Sequence, residues 1–137
     1  MLVQPYLNFD GRCEEAIAFY RKAVGAEVLM LMRNNESPEP CDPGVIPPGS
    51  DQKVLHASLR IGESIIMATD GYCKGAAKFE GMTLSLSVAN AADADRYFSA
   101  LGDGGTVTMP LTKTFFSAKF GMLIDRFGVT WMVLVGK

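Results

Sequence analysis

Several residue types that would narrow the function quickly are scarce in this sequence. The 137 residues contain one histidine, one tryptophan and three cysteines, and 13 basic against 15 acidic side chains leave a formal charge of −2. Scattered basic residues and a charge near zero do not create the positive field that attracts a phosphate backbone. We therefore expect no nucleic-acid partner.

The cysteines are too few and too far apart to define a framework. Cys13, Cys41 and Cys73 are odd in number and form no C-x-x-C pair, which argues against a disulfide scaffold and against a structural zinc site. A reducing cytoplasm is the location that this pattern favours.

Long apolar runs and a leader segment are also lacking. Residues 1–9 have no basic n-region, and Pro5 and Asn8 interrupt what would be its apolar part. The longest apolar runs, such as residues 131–135, are far shorter than the roughly 20 residues that cross a bilayer. We therefore expect no membrane partner.

The hydrophobic pattern of the first half predicts one helix among four strands. Apolar side chains recur at three- and four-residue spacing over residues 13–24, acidic residues open this segment, and Gly25 follows it as a typical helix-ending glycine. Strands are predicted at 2–9, 27–33, 54–61 and 64–69, the last two joined by a tight turn at Gly62-Glu63. The order of elements is β-α-β-β-β.

A proline-rich segment interrupts this half. Residues 34–52 contain five of the seven prolines, at positions 38, 40, 43, 47 and 48. This composition excludes a helix or a central strand. A loop of this length in a small domain is commonly a binding loop, a lid or a disordered excursion.

The second half repeats the order of elements. Strands are predicted at 82–88, 106–111, 115–124 and 130–135. A helix is predicted between the first two of these strands, with Asn90 and Asp93 at its start and Gly102 at its end. This repeat indicates a duplicated unit, although any two amphipathic helices that end in glycine would share part of it. We predict an α+β fold in which residues 1–137 form one domain of two tandem βαβββ modules, about 1–69 and 82–137, with a connector at 70–81.

Alternation along the strands separates an apolar face from a polar one. The apolar set of residues 54–61 comprises Leu55, Ala57, Leu59 and Ile61. The polar set, rich in hydroxyl, amide and imidazole groups, comprises Gln4, Tyr6, Asn8, His56, Ser58, Arg60, Thr83 and Ser85. If the sheet curls, these groups line a small-molecule site, whereas an ordinary solvated face would show the same alternation.

His56 is the candidate catalytic residue, because histidine is the side-chain type that changes charge near neutral pH. A histidine that only hydrogen-bonds a neighbour fits the sequence too, since no Asp or Glu stands beside it. The sequence contains no nucleophile elbow, P-loop or H-E-x-x-H motif. Whether a reaction is catalysed is therefore left open.

Motifs spread over nearly the whole chain resemble one family. They are Pro5-Tyr6-Leu7-x-Phe9-x-Gly11, Glu15-Ala16 and Phe19-Tyr20 before Gly25-Ala26-Glu27, His56-Ala57 with Ile66-Met67-Ala68-x-Asp70, and Phe120-Gly121-Met122 with Asp125-Arg126-Phe127-Gly128-Val129-x-Trp131-Met132. With them the chain resembles the PhnB-like branch of the vicinal oxygen chelate (glyoxalase, bleomycin resistance and dioxygenase) superfamily. The resemblance implies paired βαβββ modules in a curved, cup-shaped mixed sheet, and a homodimer.

The resemblance also implies where a divalent metal would bind, on the first and last strands of each module. By strand position these places fall near Gln4, Met67, Thr83 and Met132, with Asp70 or His56 as substitutes if the register slips. A hard divalent ion prefers carboxylate or imidazole ligands, so we predict no tightly bound metal and leave the cofactor unknown. Some members carry the label demethylubiquinone methyltransferase, but the sequence has no strand, Gly-rich turn and helix unit for a nucleotide-like methyl donor.

Three functions follow from these observations. The first is a small-molecule-binding protein without a tightly bound metal, in which His56 and Arg60 contact an oxygen-rich or anionic part of the ligand. The second is a divalent-metal-dependent lyase, isomerase or dioxygenase that uses His56. The third is a dimerisation or interaction module.

Overall fold

The computed structural model describes residues 1–39, 45–75 and 77–136. It divides into two compact units, Met1–Ala77 and Lys78–Lys137, which we call the first and the second module. In each module one helix accompanies a four-stranded mixed sheet. The predicted α+β fold of two βαβββ modules is confirmed.

The first module contains five regular elements and one short turn of 3-10 helix. These are β1 (Tyr6–Asn8), α1 (Cys13–Val24), β2 (Glu27–Arg33), the 3-10 turn (Asn34–Glu36), β3 (Val54–Ile61) and β4 (Ser64–Thr69). The strand order is β1-β4-β3-β2, with β1 parallel to β4 and the other pairs antiparallel. The predicted bounds of α1, β2, β3 and β4 are confirmed.

The first strand is shorter than the predicted 2–9. Pairing with β4 begins at Tyr6, because Pro5 has no N–H to donate and contributes only its carbonyl, which accepts from Met67 N at 2.9 Å. Gln4 therefore lies before the strand rather than in it.

Helix α1 ends and packs as its sequence pattern predicts. Gly25 adopts the left-handed conformation at φ 67°, and the N–H of Ala26 donates back to Tyr20 O at 3.2 Å. The stripe of buried side chains on α1 comprises Cys13, Ala16, Ile17, Tyr20, Ala23 and Val24. Leu7, Ala57 and Leu59 of the sheet are buried with them.

The start of α1 is capped from a distance by Asp70. Its Oδ1 accepts from Gly11 N at 2.8 Å and Cys13 N at 2.7 Å, and its Oδ2 accepts from Val54 N at 2.7 Å. The carboxylate is fully buried. It thus joins the β1–α1 turn, the start of β3 and the end of β4, and its negative charge suits the helix N-terminus.

The proline-rich loop is fastened where it leaves and rejoins the sheet. Asn34 N donates to Lys53 O at 2.9 Å, and Asn34 Nδ2 to Ser50 O at 2.9 Å. Arg33 donates to both carboxylate oxygens of Glu14 and to Gln52 O. Hydrogen bonding to Arg33 lowers the pKa of the Glu14 carboxyl. The centre of the predicted loop, residues 40–44, lies outside the described residues.

The second module repeats the first. Its elements are β5 (Leu84–Val88), α2 (Ala91–Gly102), β6 (Thr106–Thr112), β7 (Phe120–Ile124) and β8 (Thr130–Val135), with strand order β5-β8-β7-β6. The predicted cap is confirmed, since Asn90 Oδ1 accepts from Asp93 N at 2.8 Å. The bounds predicted for β8 are confirmed, whereas β6 extends one residue past the predicted 111.

Two predicted strands of this module begin too early. Strand β5 starts at Leu84, so that Thr83 precedes it. Strand β7 starts at Phe120 rather than 115, because Thr114 Oγ1 accepts from Ser117 N at 3.1 Å and turns the backbone. Ser117 Oγ, which is buried, fastens this turn to the carbonyl of Val135 at 3.0 Å.

A second buried carboxylate closes the β7–β8 turn. Asp125 Oδ1 accepts from Phe127 N at 2.8 Å and Val129 N at 3.1 Å, and Oδ2 accepts from Trp131 Nε1 at 2.9 Å. The predicted turn at residues 125–128 is present, with Gly128 N donating to Asp125 O at 3.0 Å. Neither helix among the described residues is long and apolar enough to span a lipid bilayer.

Candidate functional site

The open face of the first sheet, the side that does not pack on α1, presents a tyrosine and the single histidine together. Tyr6 Oη and His56 Nδ1 lie 3.2 Å apart, within hydrogen-bond distance. Their rings meet edge to face, with centroids 5.4 Å apart. Tyr6 is 52% exposed, so the pair is accessible to a ligand.

Strand register places this pair beside hydroxyl and thioether groups. Met67 of β4 pairs with Tyr6 on one side and Ser58 on the other, and Ser58 pairs with Met30 of β2. Directly paired residues point to the same face of a sheet. Tyr6, Met67, Ser58 and Met30 therefore form one row across the open face, next to His56.

Two predicted site residues of the first module, Asn8 and Gln4, lie at or near the two ends of β1. Asn8 Oδ1 accepts from Asp10 N at 2.9 Å, and a Cβ added to Gly71 would lie 2.6 Å from Asn8 Nδ2. Asn8 therefore packs closely on the turn that follows β4. Gln4 is half-buried and lies two residues before β1.

Arg60 is charge-paired within the sheet. Its Nη2 lies 2.5 Å from Glu27 Oε2, and the two residues are also directly opposite each other in the β2–β3 pairing. Both side chains are substantially exposed. An anionic ligand at Arg60 would compete with Glu27 for the guanidinium group. The sequence did not reveal this partner, because the alternation of polar and apolar residues does not give the register between two strands.

The predicted split of β3 into two faces is confirmed except at its start. Ala57, Leu59 and Ile61 are buried, and Arg60 is exposed. Leu55 is only half-buried, whereas Val54 is fully buried. The cause is a register shift at the end of β2, where Met32 pairs with His56 and Arg33 pairs with Val54.

The remaining predicted site residues belong to the second module. Ser85 is exposed on β5 and pairs with Met132 of β8, which pairs with Met122 of β7, which pairs with Met109 of β6. Thr83 is exposed before β5. The row of the second module corresponds to the row of the first, with Ser85, Met132, Met122 and Met109 in the places of Tyr6, Met67, Ser58 and Met30.

The correspondence extends to an irregularity in each edge strand. In β2 the register shifts between Val28 and Met30, and in β6 it shifts between Val107 and Met109. A bulge at the same position of both modules is what a duplicated unit would retain, because bulges re-aim side chains and are part of a fold's construction.

The residues at the implied metal positions do not fit a divalent ion. Register places Tyr6, not Gln4, opposite Met67, and Ser85, not Thr83, opposite Met132. A phenol, a hydroxyl and two thioethers are poor ligands for a hard cation. Asp70, one of the two predicted substitutes, is buried and accepts hydrogen bonds from three backbone N–H groups. Among the described residues no group of three or more His, Cys, Asp or Glu side chains is placed to hold a metal.

Comparisons with known proteins match the whole length of the chain. A family model described as 3-demethylubiquinone-9 3-methyltransferase matches residues 2–134. Protein YjdN of Escherichia coli (strain K12) is 37% identical over 144 residues, which cover 100% of this chain and 97% of the relative.

Solved structures agree with this match. Protein PA1353 from Pseudomonas aeruginosa is 39% identical with a TM-score of 0.85, covering 99% of this chain and 98% of that one. The PhnB protein from Bacillus cereus is 28% identical with a TM-score of 0.80, covering 99% and 100%. The fosfomycin resistance protein FosX from Mesorhizobium loti, 13% identical over 100% of this chain and 92% of that one with a TM-score of 0.66, shares the fold. The chain therefore belongs to the PhnB-like family whose model is described as 3-demethylubiquinone-9 3-methyltransferase, and it has the fold of the glyoxalase and bleomycin resistance proteins.

Proposed function

We propose that this protein binds a small organic molecule on the open face of the first module and does so without a tightly held divalent metal. The observation that supports this most directly is the exposed Tyr6–His56 pair, which offers a phenolic hydroxyl and an imidazole side by side. Hydroxyl and imidazole groups form hydrogen bonds of defined direction, so this pair can orient an oxygen-bearing ligand.

The surroundings of the pair suggest the chemistry of the ligand. Met30 and Met67 flank Ser58 in the same row, and methionine adapts its shape to apolar and aromatic groups. Arg60 is already paired with Glu27, so an anionic group is not needed to balance its charge. We propose a ligand with an aromatic or apolar body and an oxygen-bearing edge that contacts Tyr6, His56 and Ser58.

Methyl transfer is not part of this proposal, although the family model has that description. Nucleotide-like donors bind where backbone N–H groups at a strand–turn–helix junction receive their anionic part. At the β1–α1 junction Gly11 N and Cys13 N donate to the carboxylate of Asp70. A phosphate or carboxylate ligand there would have to displace a buried side chain.

A titration with small oxygen-bearing aromatic compounds tests the binding proposal. Salicylate and catechol serve as probes, observed through the ε-methyl signals of 13C-labelled methionine and the ring signals of His56. We expect the signals of Met30, Met67 and His56 to shift together, because these residues share one patch. His56→Ala should weaken binding at least tenfold, which equals a loss of about 1.4 kcal/mol.

Tyrosine variants supply a matched control for this titration. Tyr6→Phe removes the hydroxyl beside His56 and should weaken binding, whereas Tyr72→Phe changes another exposed tyrosine outside the patch and should not. Equal effects of the two variants, or shifts scattered over all exposed methionines, would refute the proposed site.

Elemental analysis of protein purified without chelators or an affinity tag tests the metal-free part. Near-stoichiometric zinc, nickel, manganese or iron that His56→Ala abolishes would favour a metal-dependent lyase, isomerase or dioxygenase instead.

The homodimer that the resemblance implies, and a cytoplasmic location, belong to the same proposal. A monomer mass in light scattering would contradict the homodimer, and failure of every probe with a dimer mass would favour an interaction module.

A further inference from the structure

We propose that the second module binds a soft monovalent metal ion, Cu(I), through the thioethers of Met109, Met122 and Met132. These three side chains form a row across three adjacent strands, with Met122 of β7 paired to Met109 of β6 and to Met132 of β8. The proposal concerns a different module and a different chemistry from the small-molecule site, and it does not depend on that site.

The row lies on the side of the second sheet away from α2. Leu123 and Trp131, which alternate with Met122 and Met132, are buried, whereas Met122 and Met132 are half-buried and Met109 is 37% exposed. The register shift after Val107 places Met109, rather than Thr108, opposite Met122. All three thioethers are therefore accessible from one side of the sheet.

The spacing of the row suits a shared ion. Directly paired residues have Cβ atoms about 5 Å apart, so the outer two of the three span about 10 Å. Methionine has an unbranched side chain with three rotatable bonds, which lets the outer two sulfurs turn towards the centre. Thioether sulfur is a soft ligand that selects Cu(I) and binds hard divalent ions poorly.

The first module supplies an internal comparison. Its row has Met30 and Met67 in the outer places but Ser58 in the middle, so two thioethers are separated by a hydroxyl. The second module has methionine in all three places. The proposal therefore predicts binding at one module and not at the other, although their strands and bulges correspond.

Cysteine thiols would compete for the same ion and must be accounted for. Cys13 is fully buried, and burial raises the pKa of its thiol, so little thiolate forms there. Burial also raises the pKa of Cys73. The experiment uses the full chain with Cys73→Ser and with Cys41, which lies outside the described residues, replaced by serine.

Titration with Ag(I), a probe that does not change oxidation state, tests the proposal in chloride-free buffer. With 13C-labelled methionine ε-methyl groups, we expect the signals of Met109, Met122 and Met132 to move together and to saturate at one equivalent. Cu(I) added under reducing conditions should displace Ag(I) from the site, and the signals of the same three methionines should report the exchange.

Conservative variants decide whether the row is the site. Met122→Leu keeps the apolar volume and should weaken Ag(I) binding at least tenfold, whereas Met30→Leu in the first module should leave it unchanged. Ser58→Met completes the first row and should create a second equivalent of binding. Equal affinities of the Met122→Leu and Met30→Leu proteins, or shifts spread over exposed methionines outside the row, would overturn the proposal.

Discussion

At the scale of single residues, the two least exposed carboxylates among the described residues, those of Asp70 and Asp125, build turns rather than perform chemistry. Asp70 and Asp125 each accept hydrogen bonds from three N–H groups, and both side chains are almost or fully inaccessible to solvent. The sequence offered Asp70, together with His56, as a substitute metal ligand because a hard ion prefers carboxylate or imidazole ligands. The partners of Asp70, Gly11 and Cys13, are almost 60 residues away, so no local pattern reveals the cap.

The role of Asp70 can be tested by a substitution that keeps its shape. Asp70→Asn replaces one acceptor oxygen with an NH2 group that faces backbone N–H donors, and it removes the charge that favours the start of α1. We expect the free energy of unfolding to fall by about 2 to 4 kcal/mol. Urea denaturation measures the change.

An exposed aspartate provides the comparison for Asp70→Asn. The Asp103 side chain is 76% exposed and its partner is Arg126, so Asp103→Asn should change stability by less than about 0.5 kcal/mol. Similar losses in the two variants would contradict a structural role that depends on burial.

At the scale of elements, period and capping signals predicted most boundaries but not the irregular positions. The bounds of α1, β2, β3, β4 and β8 agree with the sequence, because each combines clear alternation or helical spacing with a glycine or turn at its end. Strand β7 was predicted five residues too early, since Thr114 and Ser117 form a side-chain turn within a run of apolar character. Bulges in β2 and β6 depend on pairing between strands, which one strand's sequence does not contain.

The same limit applies to the candidate site. Alternation identified Tyr6, His56 and Ser58 as one polar set, and register brings them together on the open face. Glu27 beside Arg60, and the order in which the methionines stand in each row, depend on register between strands and could not be predicted from the sequence.

Packing of α2 on its sheet depends on the absence of a side chain at Gly121. A Cβ at this position of β7 would lie 2.8 Å from Phe98 Cε2 and 3.0 Å from both Leu111 N and Met109 O. Two of these neighbours are backbone atoms that cannot rotate away. We expect Gly121→Ala to lower the free energy of unfolding by about 1 to 3 kcal/mol, measured by urea denaturation.

The last residue of α2 is the matched control for this prediction. A Cβ at Gly102 would make only ordinary contacts, 3.8 Å from Leu123 Cδ2 and Val107 Cγ2. Gly102→Ala should therefore leave stability unchanged or raise it by about 0.5 kcal/mol through helix propensity. If both alanine variants destabilise equally, close packing at Gly121 is not the cause.

At the scale of the whole molecule, two modules share one construction but differ in the chemistry of their open faces. The first combines Tyr6, His56 and Ser58 with methionines, whereas the second has methionine in three consecutive places of its row.

Stability is also a property of the whole chain, and the buried thiol of Cys13 makes it depend on pH. Burial, with smaller contributions from the Asp70 and Glu14 carboxylates, raises the pKa of the Cys13 thiol far above its ordinary value of 9.0.

The sign of the resulting pH dependence follows from this shift. In the unfolded chain Cys13 loses its proton as pH passes about 9, whereas in the folded protein it keeps the proton. The unfolded state then binds fewer protons, so the contribution of Cys13 to stability is complete below pH 8 and declines above pH 9 by about 1.4 kcal/mol per pH unit. Cys13→Ala lacks this contribution. Urea denaturation from pH 7 to 10.5 should therefore show a constant stability difference between the two proteins below pH 8 and a shrinking one above pH 9. Parallel curves over the whole range would mean that the thiol ionises in the folded protein as readily as in the unfolded chain.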